Sequence, residues 1–268
     1  MTRRNLALVV LAFVAAFLAG CRGDRSQTDL TLAGSTSIQP FADKWAEVFM
    51  QAHPDLGVNV QGGGSSSGIQ ACKSGACQIG MSSRELKGDE KDLVEIVVAR
   101  DGLAIIVHPS NPVRGAKVAE IKQIFAGDLR NWSLLGGADK PITVVTREEG
   151  SGTRGAFQEL VMGKTRIYSG AITQDSNGTV REIVANDPQS IGYISLGLVN
   201  ERVKAVRLDG VGASFENIEN KKYRLVRPFI FVTKGAPGAA AQEFINFVLS
   251  RPTQDMIRHD GLIPVFRE

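Results

Sequence analysis

The residues best suited to chemistry lie at 147–153, Arg147-Glu148-Glu149-Gly150-Ser151-Gly152-Thr153. A β-branched run at 141–146 precedes them, the mark of a buried strand. Helical spacing resumes at Phe157, Leu160 and Val161. A strand that feeds a helix through glycine and hydroxyl residues leaves the first backbone N–H groups of that helix unpaired. Together with the positive end of the helix dipole, those donors make an anion site. Arg147 adds a planar, two-pronged donor that fits a tetrahedral oxyanion. An ordinary capped helix start beside a surface arginine would read the same way. Repetition favours the anion site.

The device recurs in the first third of the chain. Gly34-Ser35-Thr36-Ser37 follows a short strand at 29–33, and Ile38, Phe41, Trp45, Val48 and Phe49 then recur at helical spacing, with Pro40 tolerated in the first turn. Gln61-Gly62-Gly63-Gly64-Ser65-Ser66-Ser67-Gly68 stands between a strand at 55–60 and a helix expected from 69 to about 74. Three consecutive glycines permit φ > 0 and close approach of the backbone to a ligand. A third short strand, 78–81, ends at Ser82-Ser83-Arg84.

The elements that must position these turns alternate. The apolar stretch 93–107 reads as two strands separated near Arg100-Asp101-Gly102, and it closes at His108-Pro109-Ser110-Asn111-Pro112, where the prolines forbid continuation. A helix at 119–125, the strand before Arg147, a strand at 171–173, the turn Ser176-Asn177-Gly178-Thr179 and a helix at 180–185 follow. Strands at 191–194 and 203–208, an extended return at 223–232, and helices at 239–249 and 253–259 complete the chain. Such alternation implies parallel sheets with covered faces. Ligands then sit beyond the carboxyl ends of the strands, where the glycine-hydroxyl turns lie. Two lobes facing one cleft would let the turns converge on one ion.

Length and composition fit that scheme. The chain has 268 residues, enough for one large domain or two lobes, and its 43% hydrophobic content supports a full core. Residues 1–20 read as a secretory signal, with Arg3 and Arg4 ahead of an apolar core at 6–18. Leu18-Ala19-Gly20-Cys21 resembles a bacterial lipobox, which implies lipidation of Cys21; residues 21–28 read as a tether. Loss of Arg3 and Arg4 lowers the formal charge from +3 to +1. That balance argues against a nucleic-acid binder, and any anion must be held by local geometry. Cys72 and Cys77 remain, in an exported chain whose compartment permits a disulfide between them. A metal site lacks partners, since His53, His108 and His259 are scattered.

Several motifs together resemble the phosphate-binding proteins of ABC phosphate importers. They are Gly34-Ser-Thr-Ser-Ile38, Gln61-Gly-Gly-Gly-Ser-Ser-Ser-Gly68, Ile79-Gly-Met-Ser-Ser-Arg84, Ala126-Gly-Asp-Leu-Arg-Asn-Trp132, Arg147-Glu-Glu-Gly-Ser-Gly-Thr153 and Ile191-Gly-Tyr193. The resemblance covers nearly all of the mature chain in the same order. It implies an α/β, type II periplasmic-binding-protein fold: two lobes joined by two hinge strands, with a ligand cleft between. The implied division is 29–108 plus 225–268 for lobe 1 and 109–224 for lobe 2. The implied phosphate ligands are Thr36, Ser37, Ser65, Ser83, Arg147, Ser151, Gly152 and Thr153, with Glu149 orienting Arg147. Many family members carry an aspartate where this chain has Ser83, so charge-based rejection of sulfate is in question at that position.

The expected function is capture, not catalysis: an exported, lipid-anchored monomer that closes over inorganic phosphate and delivers it to an ABC permease. No catalytic residue, cofactor, metal or nucleic-acid partner is expected. Another tetrahedral oxyanion (sulfate, molybdate or tungstate) is the alternative substrate. A remote alternative is a serine esterase, because Gly64-Ser65-Ser66-Ser67-Gly68 fits a nucleophile elbow with Ser66 as nucleophile and His259 as base.

Overall fold

The computed structural model describes residues 28–266. The expected signal at 1–20, Cys21 and the tether up to residue 27 lie outside the described residues. The chain opens with the expected alternation: β1 (Thr28–Gly34), α1 (Gln39–Ala52), β2 (Leu56–Gln61), α2 (Ser65–Ser74) and β3 (Ile79–Ser82). β4 (Val94–Val107) follows, then β5 (Gly115–Ala116), α3 (Val118–Ala126), β6 (Thr143–Arg147) and α4 (Gly152–Phe157). α4 runs on into a π-helical turn at Gln158–Met162. β7 (Ile172–Gln174), α5 (Asn177–Asn186), β8 (Ser190–Ser195), β9 (Lys204–Ala205), β10 (Arg207–Leu208) and α6 (Phe215–Glu219) come next. β11 (Val226–Thr233), α7 (Ala239–Leu249), α8 (Arg251–His259) and β12 (Ile263–Pro264) close the chain.

Two cores divide these elements. Phe41, Trp45 and Phe49 of α1 lie on one helical face and pack with Phe229, Phe231 and Phe244 against β1 and β3. Trp45 is fully buried, so its truncation to alanine costs about 3–5 kcal/mol. The second core gathers Leu103, Ile105 and Val107 with Phe125, Trp132, Phe157 and Tyr193. Phe157 stacks flat on Tyr193, ring centroids 4.1 Å apart.

The strand order is β2-β1-β3-β11-β4-β8-β6-β7. Within each half the pairing is parallel, as expected: β1 with β2 and β3, and β6 with β7 and β8. The two long strands depart from that expectation. β11 runs antiparallel to β3 and β4, and β4 runs antiparallel to β8. They are the strands that carry the chain from one core to the other.

The stretch expected as two strands is one, of 14 residues. It changes partner instead of breaking. Residues 94–102 pair with β11, and residues 103–107 pair with β8. Leu103 also belongs to the second core, so the change of core falls at Gly102. Ile218 Cδ1 lies 2.6 Å from where a Cβ on Gly102 would stand, so the second-core helix α6 packs directly on the backbone there. The return crossing runs alongside, with Leu103 N donating to Leu225 O at 2.8 Å and Tyr223 Oη to Leu103 O at 2.7 Å.

α2 starts at Ser65, four residues before the expected helix. Gly64, at φ +88°, turns the chain, and Gly68 N donates to Gly64 O to close the first turn. Gly68 is needed for packing: a Cβ there would stand 2.2 Å from Ala33 O. Cys72 and Cys77 are both buried as free thiols in the first-lobe core. Cys72 Sγ donates to Val232 O at 3.3 Å and Cys77 Sγ to Gly68 O at 3.9 Å, and the neighbouring Cys72 together with burial raises the Cys77 thiol. The disulfide possible between them is not closed in this structure.

Candidate anion-binding site

The carboxyl ends of β1, β2, β3 and β6 converge between the two cores. Each ends in the hydroxyl-rich turn read from sequence, and each turn now has a defined geometry. Thr36 and Ser37 lie in the turn before α1. Ser65 opens α2, Ser83 follows β3, and Ser151 caps α4 by accepting from Arg154 N at 3.2 Å. Ser37, Ser65, Ser83, Arg147, Ser151 and Thr153 are all buried.

Contacts bridge the two sides. Ser37 Oγ and Thr153 Oγ1 are 2.7 Å apart, and Ser66 N donates to Gly150 O at 3.1 Å. Gly152 packs so closely that a Cβ on it would stand 2.1 Å from Ser65 Oγ and 2.6 Å from Ser83 Oγ. All eight residues expected to hold the anion therefore lie in one region, with the lobes shut on each other.

Arg147, at the end of β6, is 1% exposed. Its Nε donates to Glu148 Oε2 at 2.9 Å and its Nη2 to Glu148 Oε1 at 3.0 Å. Nη2 also donates to Thr36 Oγ1 at 3.1 Å and to Asp175 O at 2.9 Å. Nη1 is different: it is buried and has no hydrogen-bond partner among the described residues. A buried guanidinium nitrogen without a partner costs free energy unless an acceptor meets it. Tyr193 supports the strand, its hydroxyl 2.7 Å from Thr146 Oγ1 and accepting from Arg147 N at 3.3 Å.

One expected role is corrected. Glu149 does not orient Arg147. Its side chain is 93% exposed and lies nearest Arg154, at 3.8 Å. Glu148 orients Arg147, because at the strand end it is the neighbouring residue that turns back along the guanidinium edge.

The sequence reading missed three further residues at the site. Arg227 of β11 and Asp101 of β4 face each other in register across the two crossing strands. They form a buried pair, with Nε and Nη2 of Arg227 at 3.0 and 2.9 Å from Asp101 Oδ2. Burial pushes the Asp101 carboxyl up and the Arg227 guanidinium down, and each partner's charge opposes the other's shift. Arg227 Nη2 also donates to Ser37 Oγ at 3.0 Å. Asn177, at the start of α5, donates to Ser37 Oγ at 2.9 Å and accepts from Ser195 N at 3.1 Å. An arginine ahead of the apolar run Pro228–Val232 was the available signal for Arg227; the turn at 176–179 was the signal for Asn177.

Among the described residues no histidine lies beside the elbow serine. Ser66 Oγ accepts from Arg84 Nη2 at 3.1 Å, and Arg84 is itself paired with Glu90 at 2.7 Å. His259 is exposed at the end of α8, His53 pairs with Glu243, and His108 contacts Ser110.

A two-lobed α/β chain, crossed by two strands and lined in its cleft by hydroxyls, helix starts and a buried arginine, is a substrate-binding protein of the type II periplasmic-binding fold. Residues 22–252 match the family model of a PBP superfamily domain. The phosphate-binding protein PstS of Bacillus subtilis is 37% identical over 248 residues, covering 90% of this chain and 82% of the relative. A phosphate ABC transporter substrate-binding protein from Clostridium perfringens, solved with bound phosphate, superposes with a TM-score of 0.87 at 41% identity, over 89% of this chain and all of that one. An ABC-type phosphate transport receptor from Vibrio cholerae gives 0.73 at 36% identity, over 87% of this chain and 99% of that one. The chain belongs to the PstS family of phosphate-binding proteins within the PBP superfamily.

Proposed function

We propose that this chain is the extracytoplasmic phosphate receptor of an ABC importer, anchored by lipid on Cys21 and working as a monomer that hands its ion to a membrane permease. Among the described residues no helix is long and apolar enough to cross a membrane. The observation that carries the phosphate reading is Arg147 Nη1. It is buried and without a partner, at a place where hydroxyls from both lobes meet. A tetrahedral oxyanion supplies the acceptor that this nitrogen lacks.

Thr36, Ser37, Ser65 and Ser83 would hold the ion from lobe 1, and Arg147, Ser151, Gly152 and Thr153 from lobe 2. The lobes exchange the chain at Gly102 within β4 and at Leu225 just before β11, so closure is a bend at those two crossings. Donors fixed before the ion arrives offset its dehydration, each charge-assisted bond contributing about 1.5–3 kcal/mol net. Closure is then a population shift favoured by contacts with both lobes.

Calorimetric titration of the chain lacking residues 1–21 with inorganic phosphate tests the reading. Saturable one-site binding is expected; silence with phosphate would overturn it. For the anchor, the full-length chain should partition with membranes and a Cys21→Ser chain should not. Equal partitioning of the two would remove the lipid.

A further inference from the structure

The wiring of the site hydroxyls says which form of oxyanion it selects, an argument that rests on the phosphate reading above. A serine hydroxyl has one proton to give and two lone pairs to receive with. Ser37 Oγ receives from Asn177 Nδ2 at 2.9 Å and from Arg227 Nη2 at 3.0 Å. Both of its lone pairs are taken, so Ser37 can only donate, and its one proton meets Thr153 Oγ1 at 2.7 Å until an ion competes for it. Thr36 Oγ1 receives from Arg147 Nη2 at 3.1 Å and, at 3.4 Å, from Asn177 Nδ2. Ser83 Oγ receives from Ser35 Oγ at 2.8 Å and, at 3.4 Å, from Arg227 Nη1. What acceptor capacity remains is neutral: a lone pair each on Ser65, which receives from Ser83 N, on Ser151, which receives from Arg154 N, and on Thr153.

The carboxylates below the surface do not supply the deficit, since Glu148, Asp101 and Glu90 are each engaged by their own arginine, and Asp175 is exposed and turned to Thr179. Glu148 lies along the Nε–Nη2 edge of Arg147, whereas the free nitrogen is Nη1. Asp101 is enclosed by Arg227 and Ser195, with both oxygens engaged. Glu90 is taken by both terminal nitrogens of Arg84. The ionisable groups that bear on Arg227 itself are Asp101, Arg147 and Tyr193.

We infer that Arg227, held by Asp101, fixes Ser37 and Ser83 as donors and leaves the site without a charged acceptor, so that it selects tetrahedral dianions by charge and shape and demands no proton on the ligand. Arg227 is thus a specificity-determining residue seated on a crossing strand. Ions that resemble hydrogen phosphate but carry no proton, such as sulfate and monofluorophosphate, meet no repelling carboxylate. Arrival of a dianion adds acceptors only, which is what Nη1 of Arg147 and the outward hydroxyls require.

The test is calorimetric titration of the chain lacking residues 1–21 at pH 8 with phosphate, sulfate and monofluorophosphate in turn. The expected result is that the three affinities agree within about tenfold, the scale of one neutral hydrogen bond. A charged acceptor would cost a proton-free dianion several kcal/mol, on the order of a thousandfold. Phosphate binding with sulfate and monofluorophosphate weaker by that factor would overturn the inference and leave the phosphate reading standing. Failure of phosphate itself would overturn both. Arg227→Lys supplies the second arm, because an ammonium can pair with Asp101 but cannot reach Ser37 and Ser83 together. With the fold intact by circular dichroism, the phosphate-to-monofluorophosphate preference should rise about tenfold as a lone pair is released. An unchanged preference would leave Arg227 a structural role alone.

Discussion

Ser37 Oγ and Thr153 Oγ1 meet at 2.7 Å although 116 positions separate them in the chain. One precedes the first helix of lobe 1 and the other stands in the first turn of a lobe 2 helix, so their contact reports closure directly. Removing both hydroxyls (Ser37→Ala with Thr153→Ala) should weaken phosphate binding by less than the sum of the single effects, since the two share one bond. A double-mutant cycle by calorimetry measures the coupling, expected at about 0.5–3 kcal/mol. Strict additivity would mean that the contact carries no energy.

Arg147→Ala should weaken phosphate binding at least about 100-fold, the loss of a charge-assisted, multidentate donor. The fold should survive, because Glu148, whose side chain is 32% exposed, can be hydrated once its partner is gone. Calorimetry and thermal melting together separate the two effects.

The two adjacent glutamates give a paired comparison. Glu148→Gln removes the charge that aligns Arg147 and should cost about tenfold in phosphate affinity. Glu149→Gln, on a side chain exposed to solvent, should change affinity by less than about twofold. The reverse order would return the orienting role to Glu149.

Gly152→Ala places a methyl 2.1 Å from Ser65 Oγ across the closed cleft. The substitution is compatible with the helix backbone but not with this degree of closure. Small-angle scattering should show the wild-type radius of gyration falling on addition of phosphate and the variant's staying near its ligand-free value.

Acid stability can be traced to Glu90. Its hydrogen bonds from Arg84 hold the carboxyl below its ordinary 4.5. A carboxylate whose folded-state pKa is depressed stabilises the fold fully above the unfolded-state value, and that stability is lost as pH falls through the folded-state value. Glu90→Gln should therefore be less stable than wild type in urea at pH 7, and the gap should narrow below about pH 4.

Much of the site was present in the sequence because its parts are local. A strand end, a glycine and a run of hydroxyls are contiguous at 34–37, 61–68 and 147–153, and neighbouring residues alone make a helix start an anion-facing donor set. The apolar spacing of Phe41, Trp45 and Phe49 likewise fixed the buried face of α1 without reference to anything distant. What spacing could not supply was the identity of partners across the fold. Arg147 has two acidic neighbours with the same side chain, and only the turn at the strand end decides which one lies along its guanidinium. The stretch 93–107 carries a charged break at Arg100-Asp101-Gly102 that reads as a boundary; it continues as one strand because its pairing partner, not its conformation, changes there. Asp101 and Arg227 are 126 residues apart, and although an arginine ahead of an apolar run stands out, nothing local says that the two pair beside the anion site. Tertiary structure alone brought them together, since a buried charge is tolerated only where the fold delivers its partner.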